Sequence, residues 1–483
     1  MNKISTIKRD LFLTAVFLCL LSFKKAGAQN EVSPVVYSLQ QCIDTALKYN
    51  KDIYYSRIQM QADEADVMVA KGNRLPYVTG DINHGISQGR GIDPFTNSYI
   101  NQNLTFANYG LNASLPLWRA GAINNNIKAN RLNYEADKMD WQQQKENITI
   151  NIILAYLEVL RNDEQLTAAL QQADVTRSQV KRLDIMNQSG AIAPATFYDT
   201  KGQLGSDELN VISLKNALET SKVTLMQLMN IPYQPGFTAK KIEAGENIVF
   251  YDAGPLDIYQ QAEENLALVK SATLRKQSAG YALKSAKGQL FPSISLNGGL
   301  GTNYSNAATI AIPDGSSQVE TGQYVWFNND KLPVYATQNN FTEKRIPYGT
   351  QWKNNFNSNV SVGLRIPILT GNQTRALIKK AEIEQRKTEF DEMTTKTQLQ
   401  HQIEQAFVNM KTAFETYQTL VQQVKDYGES FRSAEVRFNA GVITSVDYLI
   451  AKNNYDRSRI NLISAKYDYV LRTRILDYYR GRL

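Results

Sequence analysis

The chain combines two kinds of hydrophobic pattern, one typical of helices and one typical of strands. In the helical stretches, apolar residues recur every three or four positions and form two adjacent stripes. In the longest stretch the first stripe contains Ile148, Ile152, Ala155 and Val159, and the second contains Ile153, Leu157 and Leu160. Two stripes predict a helix with neighbours on both sides, as in a cylinder of helices. A two-stranded coiled coil, which has a single seam, remains an alternative.

Proline and glycine positions delimit the long helices. Residues 122–189 contain neither residue type, and no proline follows Pro367. At about 1.5 Å per residue, a helix of this length is roughly 100 Å long, so we expect other helices to pack alongside it. The predicted helices are 38–73, 119–188 and 194–230 in the first half of the chain, and 256–290, 372–438 and 444–480 in the second half.

Between the helices, apolar residues alternate with small or polar residues. In 356–369, for example, Val360, Val362 and Leu364 alternate with serine, glycine and arginine. This period of two predicts half-buried strands, whose length of about ten residues suits a tilted strand that crosses a bilayer. The predicted strands are 77–87, 109–118, 293–303 and 356–369. The long polar stretch 302–355 predicts an outward-facing loop, with a disordered insertion as the alternative.

The two halves of the chain are related by an internal duplication. A shift of 251 residues places Gly190 on Gly441 and Lys201 on Lys452 without a gap. A second shift, of 216 residues, relates "AKGNRLPYV" to "AKGQLFPSI". We therefore expect a tandem repeat, with a first copy at 29–240 and a second at 241–483.

The N-terminus has the features of an export signal. Three basic residues precede the apolar run 11–23, and the small residues at 26–28 form a cleavage site, so residues 1–28 are a predicted signal peptide. Its removal lowers the formal net charge from +7 to +3 and leaves no basic block that would indicate nucleic-acid binding. One cysteine remains, Cys42, so an internal disulfide is excluded.

Little in the sequence indicates catalysis. The two histidines, His84 and His401, lie far apart in different pattern types, and no metal-ligand spacing, nucleophile elbow or phosphate loop occurs. The sequence thus predicts no enzyme, no metal site and no cofactor. A periplasmic coiled-coil scaffold or adaptor remains an alternative that explains the helices, but it has no use for four amphipathic strands.

The order of elements resembles the TolC family of outer-membrane efflux channels. A signal peptide is followed twice by helix, strand, strand, long helix, glycine turn and helix, and the resemblance covers nearly the whole mature chain. The segments that carry it are "SLQQCIDTALKYNKDI" at 38–53, "ITINIILAYLEVLRNDEQL" at 148–166, and the turns "NQSGAIAPATFYDTK" at 187–201 and "FNAGVITSVDYLIAK" at 438–452. The long second loop is a departure.

This resemblance implies a mainly α fold with a membrane β-barrel. Long helical hairpins would form an α-barrel in the periplasm, and four strands per chain would join a trimeric 12-stranded barrel in the outer membrane. The implied function is that of a passive exit duct in a tripartite efflux or type I secretion system. The implied partners are two further copies of the chain, a periplasmic adaptor, an inner-membrane transporter and outer-membrane lipid.

The resemblance also implies where the two glycine turns lie in the channel. Gly190 and Gly441 would lie at the periplasmic tips, where the family's channels narrow and meet the adaptor. The candidate contact residues beside them are Ala191, Ile192, Val442 and Ile443. A role in turn packing alone is the alternative for these four residues.

Three further residues are candidates for the pore constriction. The best-studied member of the family carries two aspartates three residues apart at its tip; the first matches Asp447, whereas the second falls on Ile450. The aromatic residue that helps latch that member's tip matches Phe438, which lacks a hydroxyl, and its latch arginine falls on Ile443. One acidic ring and no polar latch are therefore expected. An aspartate favoured by the helix dipole is the alternative for Asp447.

Overall fold

The computed structural model describes residues 35–92, 97–101, 103–241 and 248–482, and the predicted signal peptide lies outside these ranges. The chain forms two compact units, each with segments from both predicted repeats. Within the described ranges, we call them the helical unit, with residues 35–56, 141–266 and 397–482, and the sheet unit, with residues 57–140 and 267–396.

Nine helices are present in the described part of the chain, and two of them, α3 and α8, have 67 residues each. The helices are α1 Leu39–Tyr49, α2 Lys51–Gly72, α3 Ala122–Gln188, α4 Pro194–Met229, α5 Pro255–Asn265, α6 Ala267–Gly288, α7 Tyr348–Asn354, α8 Gln373–Asn439 and α9 Ser445–Tyr479. Over the residues that the structure describes, no helix has both the length and the hydropathy that a bilayer crossing requires.

The prediction of single helices at 38–73 and 256–290 is wrong, because the backbone leaves the helix at Asn50 and at Leu266. These positions are equivalent in the two repeats, and both residues are extended, with ψ of 130° and 132°. The Asn50 amide donates to a carbonyl of α4 at 2.9 Å, and its side-chain oxygen accepts from an N–H of the next helix. Neither break contains a glycine or a proline. Asn50 is held by its hydrogen bond to α4, and Leu266 is buried.

The sheet unit contains a four-stranded antiparallel sheet. Ten strands are described in all: β1 Val35–Tyr37, β2 Tyr77–Ser87, β3 Arg90–Ile92, β4 Tyr99–Asn101, β5 Leu104–Trp118, β6 Phe237–Ala239, β7 Ser293–Ser305, β8 Thr309–Phe327, β9 Asp330–Arg345 and β10 Asn357–Arg365. The sheet has the order β10-β7-β5-β2. In the described residues the outer edges of β2 and β10 have no partner strand.

Strand register separates an apolar face of this sheet from a polar face. Leu296 lies opposite both Leu115 and Val362, and residues directly opposite one another share a face. In the adjacent row, Asn297 lies opposite Ser361 and Ser114. The apolar face is exposed in this chain, with Val362 67% exposed. The predicted strand 356–369 ends earlier, at Arg365, because Pro367 has no N–H to donate to a ladder.

The prediction of a polar loop at 302–355 is also wrong. The stretch forms a long antiparallel hairpin of β8 and β9, followed by the short helix α7. Its turn is Asn328-Asn329, with φ of +52° and +71°, as a two-residue hairpin turn requires. The buried Gln351 of α7 donates to the Ser305 carbonyl at 2.9 Å and so fixes α7 against β7.

The core of the helical unit forms around α1, α3 and α4. Tyr156 is fully buried, and its hydroxyl donates to the carbonyls of Tyr37 and Lys240, beside the short parallel pair β1 and β6. Cys42 is fully buried in the same cluster, and burial raises the pKa of its thiol to about 12. This cysteine therefore has the character of a core residue and not of a reactive thiol.

Candidate functional site

The first glycine turn ends α3 with a left-handed residue. Gly190 has φ of +72°, and its N–H donates to the Asn187 carbonyl at 3.1 Å. The Ala191 N–H donates to the Met186 carbonyl at 2.9 Å. These two bonds form a Schellman motif, in which glycine is favoured because a Cβ strains the left-handed backbone. Pro194 then begins α4 at a position where its missing N–H costs nothing.

The second turn repeats this geometry at the end of α8. Gly441 has φ of +73° and donates to the Phe438 carbonyl at 3.0 Å, while Val442 donates to the Arg437 carbonyl at 2.9 Å. The helix restarts by a different device. The Thr444 hydroxyl accepts from the Asp447 N–H at 3.2 Å, and the Asp447 carboxylate in turn accepts from the Thr444 hydroxyl at 2.7 Å.

The predicted site residues lie around these two turns. Val442 and Ile450 are 66% and 55% exposed, and Asp447 and Ala191 are also exposed. Ile192 and Ile443 are half-buried. In α9, Asp447 and Ile450 are three residues apart and share one face.

Phe438 packs within its own hairpin. Its ring stacks on Tyr448, with 4.7 Å between centroids and 17° between planes. Tyr448 is 3% exposed, so this contact anchors the start of α9 against the end of α8. The structure therefore brings Phe438 together with Tyr448.

Side chains connect the two hairpins near their turns. Ser445 at the start of α9 donates to Asp199 of α4 at 3.1 Å. Arg182 of α3 donates to Asn439 at the end of α8. These contacts place both turns at one end of the helical unit.

A buried ion cluster lies next to the turns, and sequence reasoning missed it. The Lys452 ammonium of α9 lies 3.2 Å from the Asp207 carboxylate of α4 and 2.7 Å from Asp456. Lys452 and Asp207 are 2% and 4% exposed. Asp207 also accepts from the Gln203 amide at 2.8 Å and from the Thr176 hydroxyl. Burial raises the pKa of Asp456, and the neighbouring ammonium opposes the rise.

One ion pair of this cluster, between Lys452 and Asp456, is indicated by the sequence. Lys452 and Asp456 are separated by one helical turn, which predicts an ion pair but not its burial. The equivalent residue in the first repeat, Lys201, is exposed and lies over the Phe197 ring, 5.7 Å from its centroid. The pairing with Asp207 depends on how α4 packs against α9, which one sequence does not specify.

A second cluster of charges lies in the sheet unit. The Arg275 guanidinium is 2.6 Å from the Asp137 carboxylate and also contacts Asp140. Burial and the neighbouring Asp63 raise the pKa of Asp137 to about 6, although Arg275 opposes the rise. No group of three or more histidine, cysteine, aspartate and glutamate side chains in the described ranges is arranged to hold a metal ion.

The chain matches the model of one protein family. That family is described as outer membrane efflux protein, and the match covers residues 42–230 and 258–478.

Two curated proteins are similar to the chain over most of its length. The outer membrane efflux protein BepC of Brucella suis is 22% identical over 458 residues, which cover 91% of this chain and 84% of BepC. The outer membrane protein TolC of Vibrio cholerae is 20% identical over 364 residues, which cover 75% of this chain and 74% of that protein.

Solved channel structures have a similar fold. The CmeC outer membrane channel of Campylobacter jejuni superposes with a TM-score of 0.72 at 18% identity, covering 92% of this chain and 85% of CmeC. The MtrE outer membrane channel of Neisseria gonorrhoeae gives a TM-score of 0.69 at 17% identity, covering 92% and 88%. At these identities the similarity shows a shared fold.

Proposed function

Because the chain belongs to the outer membrane efflux protein family, we propose that it is the passive exit duct of a tripartite efflux or type I secretion system. Membership of this family confirms the resemblance to TolC and the location in the outer membrane, and it favours an efflux channel over a periplasmic scaffold. An inner-membrane pump and a periplasmic adaptor would deliver the cargo. The family is one of transport proteins, and we propose no catalytic activity for this chain.

The observation that carries this proposal is the four-stranded sheet, which in the described part of the chain has one exposed apolar face and two edges without a partner strand. An open edge is not stable in lipid, because its N–H and C=O groups find no water there. Four strands are too few to close a barrel, whereas three copies supply twelve strands. We therefore propose a homotrimer in which β10 of one copy pairs with β2 of the next. The apolar face then contacts lipid and the polar face lines the channel.

The two glycine turns of the helical unit would be the periplasmic tips. Val442 and Ala191 are exposed at these turns, so their side chains are available to a partner. We propose that these residues, together with Ile192 and Ile443, contact the adaptor. The half-burial of the two isoleucines agrees with a shared role in turn packing.

At the tips, three Asp447 carboxylates would form one acidic ring that attracts cations and disfavours anions. Asp447→Asn tests this role, because asparagine removes the charge and keeps an oxygen able to cap the helix. The measurement is the reversal potential of single channels in a salt gradient. Thr444→Ala is the matched control, since it removes the capping hydroxyl and keeps the carboxylate. We expect cation preference to fall in the first variant only, and an unchanged preference would rule the ring out.

Cell fractionation tests the proposal as a whole. We expect the protein in the outer-membrane pellet, as a trimer that survives mild detergent. A folded protein recovered in the soluble periplasmic fraction would contradict the channel and favour the scaffold.

A further inference from the structure

A cavity of about 560 Å³ lies in the sheet unit, where the strands end and the helices begin. Its walls come from the end of β10, the start of β7 and the adjoining ends of α2, α3 and α6. Among the residues that line it are Asn73, Arg119, Asn126, Gln289, Phe291 and Arg365.

The charge in this cavity is entirely positive. Arg119 and Arg365 both line it, and no aspartate or glutamate does. Neither guanidinium has a carboxylate partner among the described residues, unlike Arg275 in the same unit, which contacts two aspartates. An arginine remains protonated at any physiological pH, so the two side chains give this cavity two uncompensated positive charges.

Strand register places part of the cavity on the polar face of the sheet. Arg365 lies directly opposite Ser293, and the neighbouring pair, Leu364 and Ile294, belongs to the apolar face. Because successive residues of a strand point to opposite faces, Arg365 and Ser293 are on the polar face. Under the proposed function this face lines the channel, so the cavity is open to passing cargo.

The remaining walls define the chemistry of a ligand. Guanidinium groups bind carboxylate, sulfonate and phosphate oxygens in a bidentate manner. The side-chain amides of Asn73 and Gln289 can donate and accept further hydrogen bonds, and Phe291 supplies an apolar surface. We propose that this cavity binds the oxyanion group of an amphiphilic cargo on its way through the channel. This inference rests on the proposed function and narrows its substrate class to molecules with an oxyanion beside an apolar body, zwitterions included.

Binding of benzenesulfonate to the purified full-length protein in detergent tests this inference by titration calorimetry. Benzenesulfonamide serves as the uncharged probe of the same shape. We expect Arg119→Gln and Arg365→Gln each to weaken sulfonate binding by about tenfold or more, and the double variant to abolish it. Arg131→Gln is the matched control, since Arg131 is an exposed arginine of α3 outside the cavity, and it should bind as the wild type does.

Two results would overturn the inference. In the first, the wild type binds benzenesulfonate and benzenesulfonamide equally well. In the second, the double variant binds benzenesulfonate as tightly as the wild type does. Planar bilayers separate this failure from failure of the proposed function. Wild-type channels should form and be blocked by benzenesulfonate, and channels of the double variant should form and resist the block. Channels that form but are not blocked contradict the inference alone, whereas failure of the wild type to form channels contradicts the proposed function.

Discussion

Replacing Lys452 by methionine should loosen the tips of the hairpins. The ammonium is held 3.2 Å from Asp207 and 2.7 Å from Asp456, and Lys452 is 2% exposed. Methionine has a similar length and no charge, so it fills the same space. Two buried carboxylates would then face each other without the cation that lies between them.

The size of the effect follows from burial. Removing one partner of a buried ion pair costs about 3–5 kcal/mol, because the other charge is left without compensation. At about 1.4 kcal/mol per factor of ten, local opening of the contact between α4 and α9 becomes roughly 150 to 4,000 times more frequent. The polar partners of Asp207, including Gln203 at 2.8 Å, favour the lower part of this range.

Amide hydrogen exchange followed by mass spectrometry measures this opening directly. Peptides from 199–207 and 445–456 should exchange faster by the factor given above, while peptides from 293–305 in the sheet unit should not change.

Lys466→Met is the matched control. Lys466 also lies on α9, but its ion pair with Glu164 spans 3.4 Å and both side chains are about one-third exposed. Loss of such a pair costs about 1 kcal/mol or less, which corresponds to roughly a fivefold change in exchange. If Lys452→Met accelerates exchange no more than this control does, the buried cluster does not hold the hairpins together.

Gly441→Ala should destabilise the helical unit by about 1–2 kcal/mol, because the φ of this residue is +73°. Gly202→Ala should stabilise the unit by up to about 1 kcal/mol, because Gly202 lies in a helix and an added Cβ meets no neighbouring atom within 4 Å. Equal shifts of the thermal unfolding midpoint in the two variants would contradict this prediction. The pKa of Asp137 is raised from 3.8 to about 6, so the folded protein loses free energy of unfolding as pH rises through this window. Asp137→Asn should therefore raise the thermal unfolding midpoint more at pH 7.5 than at pH 4.5. An equal rise at both pH values would refute this prediction. Val362→Lys should prevent assembly in the membrane, because a lysine on the lipid-facing side of a barrel costs about 2–4 kcal/mol. Ser361→Lys, on the polar face, should still assemble. If outer-membrane fractions contained the Val362→Lys protein and lacked the Ser361→Lys protein, the assignment of the two faces would be the wrong way round.

Some features of this fold were accessible from the sequence because they depend on local chemistry. Gly190 and Gly441 interrupt helical patterns where a left-handed residue is needed, and glycine adopts that conformation with the least strain. Alternation around Val362 is equally local, because successive side chains of a strand point to opposite faces, so an apolar face and a polar face give a period of two along the sequence.

Other features depend on contacts between distant segments. The breaks at Asn50 and Leu266 contain neither glycine nor proline. The Asn50 side-chain amide donates a hydrogen bond to a backbone carbonyl of α4. The buried position of Lys452 depends on the packing of α9 against α4. The hairpin at 309–345 differs from the predicted loop for another reason. Its polar composition is typical of a loop, and its turn is Asn328-Asn329 instead of the Asn-Gly or Asp-Gly pair that signals a hairpin most strongly.

The central claim is that one copy of this chain does not close a channel and three copies do. Native mass spectrometry of the protein extracted from outer membranes in mild detergent measures this directly. We predict a complex with three times the mass of the mature chain. A folded, monomeric species as the main form would contradict the account.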